Sequence, residues 1–312
     1  MSSKKIIILT ILFIFCFQIN AKETITDTNN TSLAERLTLL MYNNFQFLPK
    51  YHISADISKF FFQKNEFLKR RAFIDNNTII DLELLRFKNI SSVWQFYLHT
   101  GMGQTPGNVV FDPMDMNFAI IPTIEWRPTG LIISGGLDHH CFHEIDRKDF
   151  KTVYWNKVII NVGSANLRES QYWTNFLSDS GWTVKNCLSW NVGGSYYMRE
   201  FFGLVDKNTV NGENKNVTDL STDVRWAFYK RRGWIVNAHS AGLIGYYEDT
   251  PQQGSEKGIY WRTENSIEFN FRKGQNGGMF FLTYTLDKMP LFQGVERFSR
   301  DQLLQVGVRF FM

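Results

Sequence analysis

Cysteine, proline and long apolar runs are all scarce in this sequence. Only three cysteines and seven prolines occur among the 312 residues. The two cysteines beyond the N-terminal apolar run cannot form the disulfide framework of a chain this long. After that run, no segment approaches the roughly 18 uninterrupted apolar residues of a membrane-spanning helix. The net charge of +4 is spread without basic runs, which argues against a nucleic-acid partner.

Aromatic residues, by contrast, are abundant. They make up 16% of the chain and include 28 phenylalanines and nine tryptophans. A transmembrane β-barrel places aromatic side chains in two girdles at the membrane interfaces and needs no apolar helix. The composition therefore favours an integral β-barrel of a Gram-negative outer membrane.

The N-terminal region is interpreted as two segments ahead of the barrel. Residues 1–21 are typical of a signal peptide, because a lysine pair precedes an apolar core and small residues precede a cleavage point. Residues 22–50 begin polar, and a capping-box pattern at Ser32–Glu35 predicts a short helix through Tyr42. A periplasmic helix, a plug and a frayed first strand are all compatible with this segment.

Residues 51–312 show the period-two alternation of half-buried strands. In the clearest run, from Met116 to Arg127, apolar and polar side chains occupy opposite faces. Counting such runs predicts an all-β, transmembrane, antiparallel up-and-down barrel of about 12 strands, with 10 or 14 as alternatives. Short turns alternate with longer polar loops, so we expect the turns and both termini in the periplasm.

The C-terminal run indicates how this barrel is assembled. From Leu304 to Met312, apolar residues share one face, with Phe310 in register two positions before the last residue. This run resembles the C-terminal assembly strand of bacterial outer-membrane proteins. The resemblance implies the cell outer membrane as location, with outer-membrane lipid and the insertion machinery as partners. We expect a monomer or weak dimer.

One predicted hairpin, from Leu131 to Val162, carries most of the reactive side chains. Because side chains alternate along a strand, His139 and Cys141 continue the apolar face of its first strand and Asn156 that of its second. We expect this face to meet the outer leaflet, where polar groups are costly and therefore invite a functional explanation. A thiol nucleophile needs a base, and the base needs an orienting partner. The hypothesis is that Cys141 is the nucleophile, His139 the base and Asn156 the orienting residue.

These residues carry a local resemblance to the outer-membrane phospholipase A family. His139-x-Cys141 stands where that family has His-x-Ser, and Tyr154-Trp155-Asn156-Lys157 is similar to its Ser-Trp-Asn-Arg. The resemblance implies a 12-stranded barrel that hydrolyses phospholipid or another acyl ester at the outer leaflet, with calcium as a candidate cofactor and dimerisation as a way to build the cleft.

Two other interpretations of these side chains stay open from the sequence. The histidines also suit an interfacial belt, with Cys141 as a small apolar filler. A metal could be bound if the chain turned near the outer rim, since imidazoles and carboxylates cluster there; the candidate ligands are Asp138, His139, His140, His143, Glu144 and Asp146. A disulfide between Cys141 and Cys187 is not expected, because the topology places them at opposite ends of the barrel.

The remaining alternative is a non-enzymatic structural or narrow transport barrel. Charged residues recur on the lumen-facing side of the predicted strands, and mixed charges in a narrow barrel bind one another and fill its interior. These residues are Asp81, Glu83, Glu125, Arg127, Arg225, Arg262, Glu264, Glu268 and Arg272. The sequence thus leaves open whether the protein is an enzyme.

Overall fold

The computed structural model describes residues 44–62, 74–103, 112–145, 153–167, 187–198, 216–231, 234–248, 257–273, 276–288 and 302–312. These residues form twelve strands: β1 (Phe45–Phe62), β2 (Ile74–Phe87), β3 (Ile90–Gly103), β4 (Asp112–Trp126), β5 (Leu131–Glu144), β6 (Val153–Ser164), β7 (Leu188–Met198), β8 (Asn216–Arg231), β9 (Trp234–Glu248), β10 (Lys257–Lys273), β11 (Asn276–Lys288) and β12 (Gln302–Phe311). No helix among the described residues is long and apolar enough to cross a membrane.

The strands form one closed sheet in which each strand pairs antiparallel with its neighbours in the chain. The first and last strands close it, from Ser54 opposite Phe311 to Phe62 opposite Leu303. Closure satisfies every strand edge, as a sheet in a bilayer requires. The predicted all-β, 12-stranded antiparallel barrel is therefore confirmed.

The two ends of the barrel differ in their connections. At the end defined by the turns β2–β3, β4–β5, β8–β9 and β10–β11, most connections are only two to four residues long. The exception is the β6–β7 connection, residues 165–187. We call this the inner end, since short turns of such barrels lie in the periplasm. The opposite, outer end carries only longer connections.

Apolar and polar side chains separate across the barrel wall. Large apolar side chains are exposed on the outside, among them Ile57, Ile124, Trp126, Ile160, Leu220, Trp226, Ile244, Ile259, Phe280 and Phe310. Buried polar side chains project inward, among them His52, Asp56, Asp81, Glu83, Glu125, Asp138, Arg225, Asn237 and Glu268. An apolar exterior around a polar interior is the architecture of a bacterial outer-membrane barrel. The chain is therefore an outer-membrane β-barrel protein.

The first strand begins earlier than the alternation predicts. Residues 45–50, which we placed ahead of the barrel, lie within β1. Its pairing with β2 shifts register between Phe47 and Lys50, and Leu48 has a positive φ of 46°. The proline at position 49 has no N–H to donate to the ladder, so the alternation is interrupted there. The predicted signal peptide (1–21), the helix through Tyr42 and residues 168–186 lie outside the described residues.

Candidate functional site

The β5–β6 hairpin begins at a tight turn at the inner end. The N–H of Leu131 donates to the carbonyl of Pro128 at 3.2 Å. Gly130 has a φ of +88°, a conformation that glycine adopts without a steric cost. The turn therefore sets the register of β5, which begins at Leu131 at the inner end and finishes at Glu144 at the outer end.

The reactive side chains of this hairpin lie on the outer face of the wall. On β5, Ser134 and Asp138 line an interior cavity, so alternation puts His139 and Cys141 on the lipid-facing side. On β6, Ile160 is 61% exposed on the exterior, and Asn156 shares its face. His139 and Asn156 are register partners across the two strands.

Two hydrogen-bonded contacts connect these side chains. His139 Nδ1 lies 2.8 Å from Oδ1 of Asn156, so this ring nitrogen carries the proton and donates it to the amide oxygen. Cys141 Sγ lies 3.0 Å from Nε2 of His143. The His143 ring also stacks on Phe118, with ring centroids 5.4 Å apart. Asn156 and Cys141 are only 8% and 9% exposed.

The structure thus brings together the predicted orienting residue and the predicted base. The partner it shows for the thiol is His143, which the sequence analysis considered as a metal ligand or as part of an interfacial belt and not as the base. His139 precedes Cys141 by two residues and His143 follows it by two, so both imidazoles share the thiol's face. The roles of Cys141, His139 and Asn156 stay a prediction.

The metal-ligand candidates are divided between the two faces of the wall. Inside, Asp138 contacts Nε2 of His140 at 2.8 Å and Nζ of Lys157 at 3.1 Å, while His140 stacks on Trp155. Within the described part of the chain, no three His, Cys, Asp or Glu side chains lie close enough to hold a metal ion. Asp146 lies outside that part.

Calcium in particular does not fit the exterior side chains. It takes six to eight oxygen ligands, whereas His139, Cys141 and His143 offer nitrogen and sulfur. The amide oxygen of Asn156 already accepts from His139.

The two cysteines lie near opposite ends of the barrel. Both thiols are free and buried. Cys187 packs near the inner end with Ala227 and Ile235, while Cys141 lies near the outer end on β5. The expectation that they do not pair is confirmed.

Two interior cavities lined by described residues lie one above the other. The inner cavity, about 330 Å³, reaches down to Glu125 and Phe311. The outer cavity, about 380 Å³, reaches up to Asp75 and His99. Both are lined by Ile79 and by two arginines, Arg225 and Arg309. We call these arginines, with their carboxylate partners Glu268 and Asp56, the arginine layer.

The first half of the arginine layer centres on a buried glutamate. Arg225 lies 3.2 Å from both carboxylate oxygens of Glu268, and Asn237 donates to the same group at 3.0 Å. His239 lies 3.7 Å from Glu268 through Nδ1 and 2.7 Å from Asp223 through Nε2. Paired charges of this kind tolerate burial because each ionised group finds a partner.

The second half joins the two ends of the chain. Arg309 on β12 donates to Asp56 on β1 through Nε at 2.9 Å and through its terminal nitrogen at 2.8 Å. Asn77 donates to the other oxygen of Asp56 at 2.8 Å. Arg309 and Asp56 are 253 positions apart, so only barrel closure brings them together. The sequence analysis did not include either residue among the lumen charges and did not predict their pairing.

Other predicted lumen charges also pair with one another. Glu83 binds Arg86 and lies 3.4 Å from Arg127, which in turn contacts Glu125 at 2.8 Å. His99, which the sequence did not single out, contacts Asp75 and lies 3.8 Å from Asp115. The expectation that mixed charges bind one another across a narrow interior is confirmed for these described residues.

Comparison with known proteins matches the chain to solved structures at low sequence identity. No family model matches the chain, and no curated protein does. Among solved structures, an active-site mutant of outer membrane phospholipase A from Escherichia coli has a TM-score of 0.47 at 8% identity, covering 91% of this chain and 94% of that one. A toluene transporter from Pseudomonas putida has a TM-score of 0.39 at 8% identity, with 92% and 95% covered. The KdgM porin in complex with disordered oligogalacturonate has a TM-score of 0.40 at 8% identity, with 83% and 98% covered. Likeness at this level does not transfer a function to this chain.

Proposed function

We propose that this protein is a narrow, non-enzymatic transport barrel whose path is controlled by the arginine layer. The observation that carries the proposal is that the inner and outer cavities share Arg225 and Arg309 as lining residues. Water and small polar solutes can occupy both cavities, whose linings combine polar and apolar side chains. The only described side chains common to both cavities are these two arginines and Ile79.

The layer suits a narrow path better than a permanent seal. Arg225 and Arg309 are long, flexible side chains held by side-chain hydrogen bonds, and their displacement would connect the cavities without any movement of a strand. Rings of charged side chains also set the selectivity of membrane pores. The transported solute is therefore small and polar.

Single-channel conductance in a planar lipid bilayer tests this function. We expect a low conductance from the wild-type protein. The double variant Arg225→Ser with Glu268→Ser should have a severalfold higher conductance, because it shortens both side chains of one ion pair of the arginine layer and leaves no unpaired charge from that pair. The matched control is Arg262→Ser with Glu264→Ser, a bonded pair lining the outer cavity alone, which should change conductance little. Silent bilayers for the wild type and both variants would indicate a structural barrel.

A second candidate, an outer-leaflet acyl-ester hydrolase, is favoured by the two contacts of the β5–β6 hairpin. The thiol of Cys141 lies 3.0 Å from the imidazole of His143, and the amide of Asn156 lies 2.8 Å from a different imidazole, that of His139. A Cys-His-Asn site has the same three kinds of group, with one imidazole between thiol and amide. In this candidate, Cys141 attacks the ester carbonyl, an imidazole accepts the thiol proton and later returns it to the alcohol, and water releases the acyl group.

Hydrolysis of phospholipid by the detergent-solubilised protein tests this candidate, with Cys141→Ala as the inactive control. Because imidazoles flank the thiol on both sides, His139→Gln and His143→Gln are compared under the same conditions. Loss of turnover in His139→Gln supports the predicted base, and loss in His143→Gln supports the contact in the structure. Absence of turnover in the wild type at every calcium concentration excludes the hydrolase.

A further inference from the structure

Carboxylates outnumber cationic side chains along the lining of the inner and outer cavities. The lining carboxylates are Asp56, Asp75, Asp81, Glu125, Asp138, Asp223, Glu264 and Glu268, and the lining arginines are Arg225, Arg262 and Arg309. Two further cations reach these carboxylates from beside the cavities, Arg127 at Glu125 and Lys157 at Asp138. With these two included and histidine counted as neutral, the described lining still carries more negative than positive side chains.

The lining arginines do not offset this excess, because each is bound to a lining carboxylate of its own. Arg309 contacts Asp56 through two of its nitrogens. Arg225 lies 3.2 Å from both oxygens of Glu268, and in the outer cavity Arg262 contacts Glu264. The arginine layer therefore consists of ion pairs and presents no net positive charge to a solute.

Two of the other lining carboxylates have histidine partners. Asp75, in the outer cavity, contacts His99. Asp223, in the inner cavity, lies 2.7 Å from Nε2 of His239. An imidazole balances a carboxylate only while it carries two protons. Negative charge without a permanent counter-charge in these contacts therefore flanks the arginine layer on both sides.

Asp223 is the most accessible carboxylate of the inner cavity. Its side chain is 29% exposed, whereas the other carboxylates that line this cavity are buried. Its partner His239 also reaches Glu268 and lines the outer cavity, so Asp223 lies immediately on the inner side of the arginine layer. Its second oxygen, Oδ1, has no hydrogen-bond partner among the described residues. Such an oxygen is costly to bury unsatisfied, and a cation beside it would satisfy it.

We propose that the path conducts small cations in preference to anions and that Asp223 is a residue that sets this preference. The inference rests on the proposed transport function and adds the charge of the solute. Acidic side chains select cations in membrane pores, and a narrow passage with low-dielectric walls strengthens their field. The substrate class is therefore small, positively charged solutes, such as compounds with one ammonium group.

Reversal potentials in a planar lipid bilayer test the inference, with a tenfold gradient of KCl at pH 8. We expect the wild-type protein to pass K⁺ severalfold better than Cl⁻. Asp223→Asn keeps the shape of the side chain and should lower this permeability ratio about twofold. Asn161→Asp adds a carboxylate to the inner cavity and should raise it. Methylammonium should replace K⁺ as the permeant ion, and formate should not replace it.

The matched control is a charge on the other side of the wall. Lys59→Gln changes the net charge by the same amount as Asn161→Asp, but Lys59 is in register with Val306 on the lipid-facing side. Its permeability ratio should equal that of the wild type. The two lumen variants shift the ratio in opposite directions, which a loss of folding cannot imitate.

The outcomes separate this inference from the transport function on which it rests. Silent bilayers from the wild-type protein refute both. Currents that reverse at zero potential, or at a potential that favours chloride, leave the transport function intact and overturn the cation preference. Equal ratios for the wild type and Asp223→Asn overturn the role of Asp223.

Discussion

The arginine layer and the lipid-facing side of the β5–β6 hairpin differ in how their polar side chains are satisfied. Inside, Glu268 has Arg225, Asn237 and His239 around it. Outside, the amide oxygen of Asn156 accepts a hydrogen bond from His139. The interior network is one of several in a polar space, whereas the exterior pair faces hydrocarbon. Polar groups are common in a polar interior and costly against hydrocarbon. The exterior pair therefore requires a functional or structural explanation, and the interior pair does not.

The largest effect should come from leaving one interior charge without its partner. Arg225→Met leaves Glu268, which is 3% exposed, with its carboxylate buried beside a thioether. We expect a loss of about 3 kcal/mol in the free energy of unfolding. The double variant Arg225→Met with Glu268→Met should recover most of it, since no buried charge remains. Urea unfolding in lipid vesicles, followed by tryptophan fluorescence, measures both.

A control within the same lumen is Arg262→Met. The side chain of Arg262 is 35% exposed, so water screens its pairing with Glu264 and the loss should stay below about 1 kcal/mol. Equal losses for the two arginine variants would show that the layer is as hydrated as the outer cavity, and the contrast between interior regions would disappear.

Period-two alternation was sufficient to predict the barrel and the face of each reactive side chain. It placed His139, Cys141 and Asn156 outside and Glu268 inside, because strand parity depends only on local sequence. It could not choose between His139 and His143 as partner of the thiol, since both lie two residues from it. It also missed the Arg309–Asp56 pair, because that contact needs the register between the first and last strands.

The exterior pair should show a smaller effect with the same sign. Asn156→Leu removes the acceptor of His139 and leaves a ring N–H facing lipid, so we expect a loss of about 1 to 2 kcal/mol. The double variant Asn156→Leu with His139→Leu should be at least as stable as the wild type, since two apolar side chains then face hydrocarbon. The same urea unfolding measures this. A double variant as unstable as the single one would mean that the pair holds the hairpin together.

The smallest effect on stability is expected at a second lipid-facing polar pair, which tests whether the His139–Asn156 pair is typical of the exterior. Ser240 on β9 donates to Asn265 on β10 at 3.0 Å. Both side chains are exposed, and Asn265 is the middle residue of its strand, at the depth where polar groups cost most. Asn265→Leu should therefore stabilise the barrel by about 0.5 kcal/mol, the net of one lost interstrand hydrogen bond and one polar group removed from lipid. Unfolding midpoints of this variant and of Asn156→Leu, measured side by side, check the sign. If Asn156→Leu lowers the stability of the barrel and Asn265→Leu raises it, the His139–Asn156 hydrogen bond stabilises the wall and the Ser240–Asn265 hydrogen bond does not. If Asn265→Leu also destabilises the barrel, lipid-facing hydrogen bonds stabilise this wall wherever they occur.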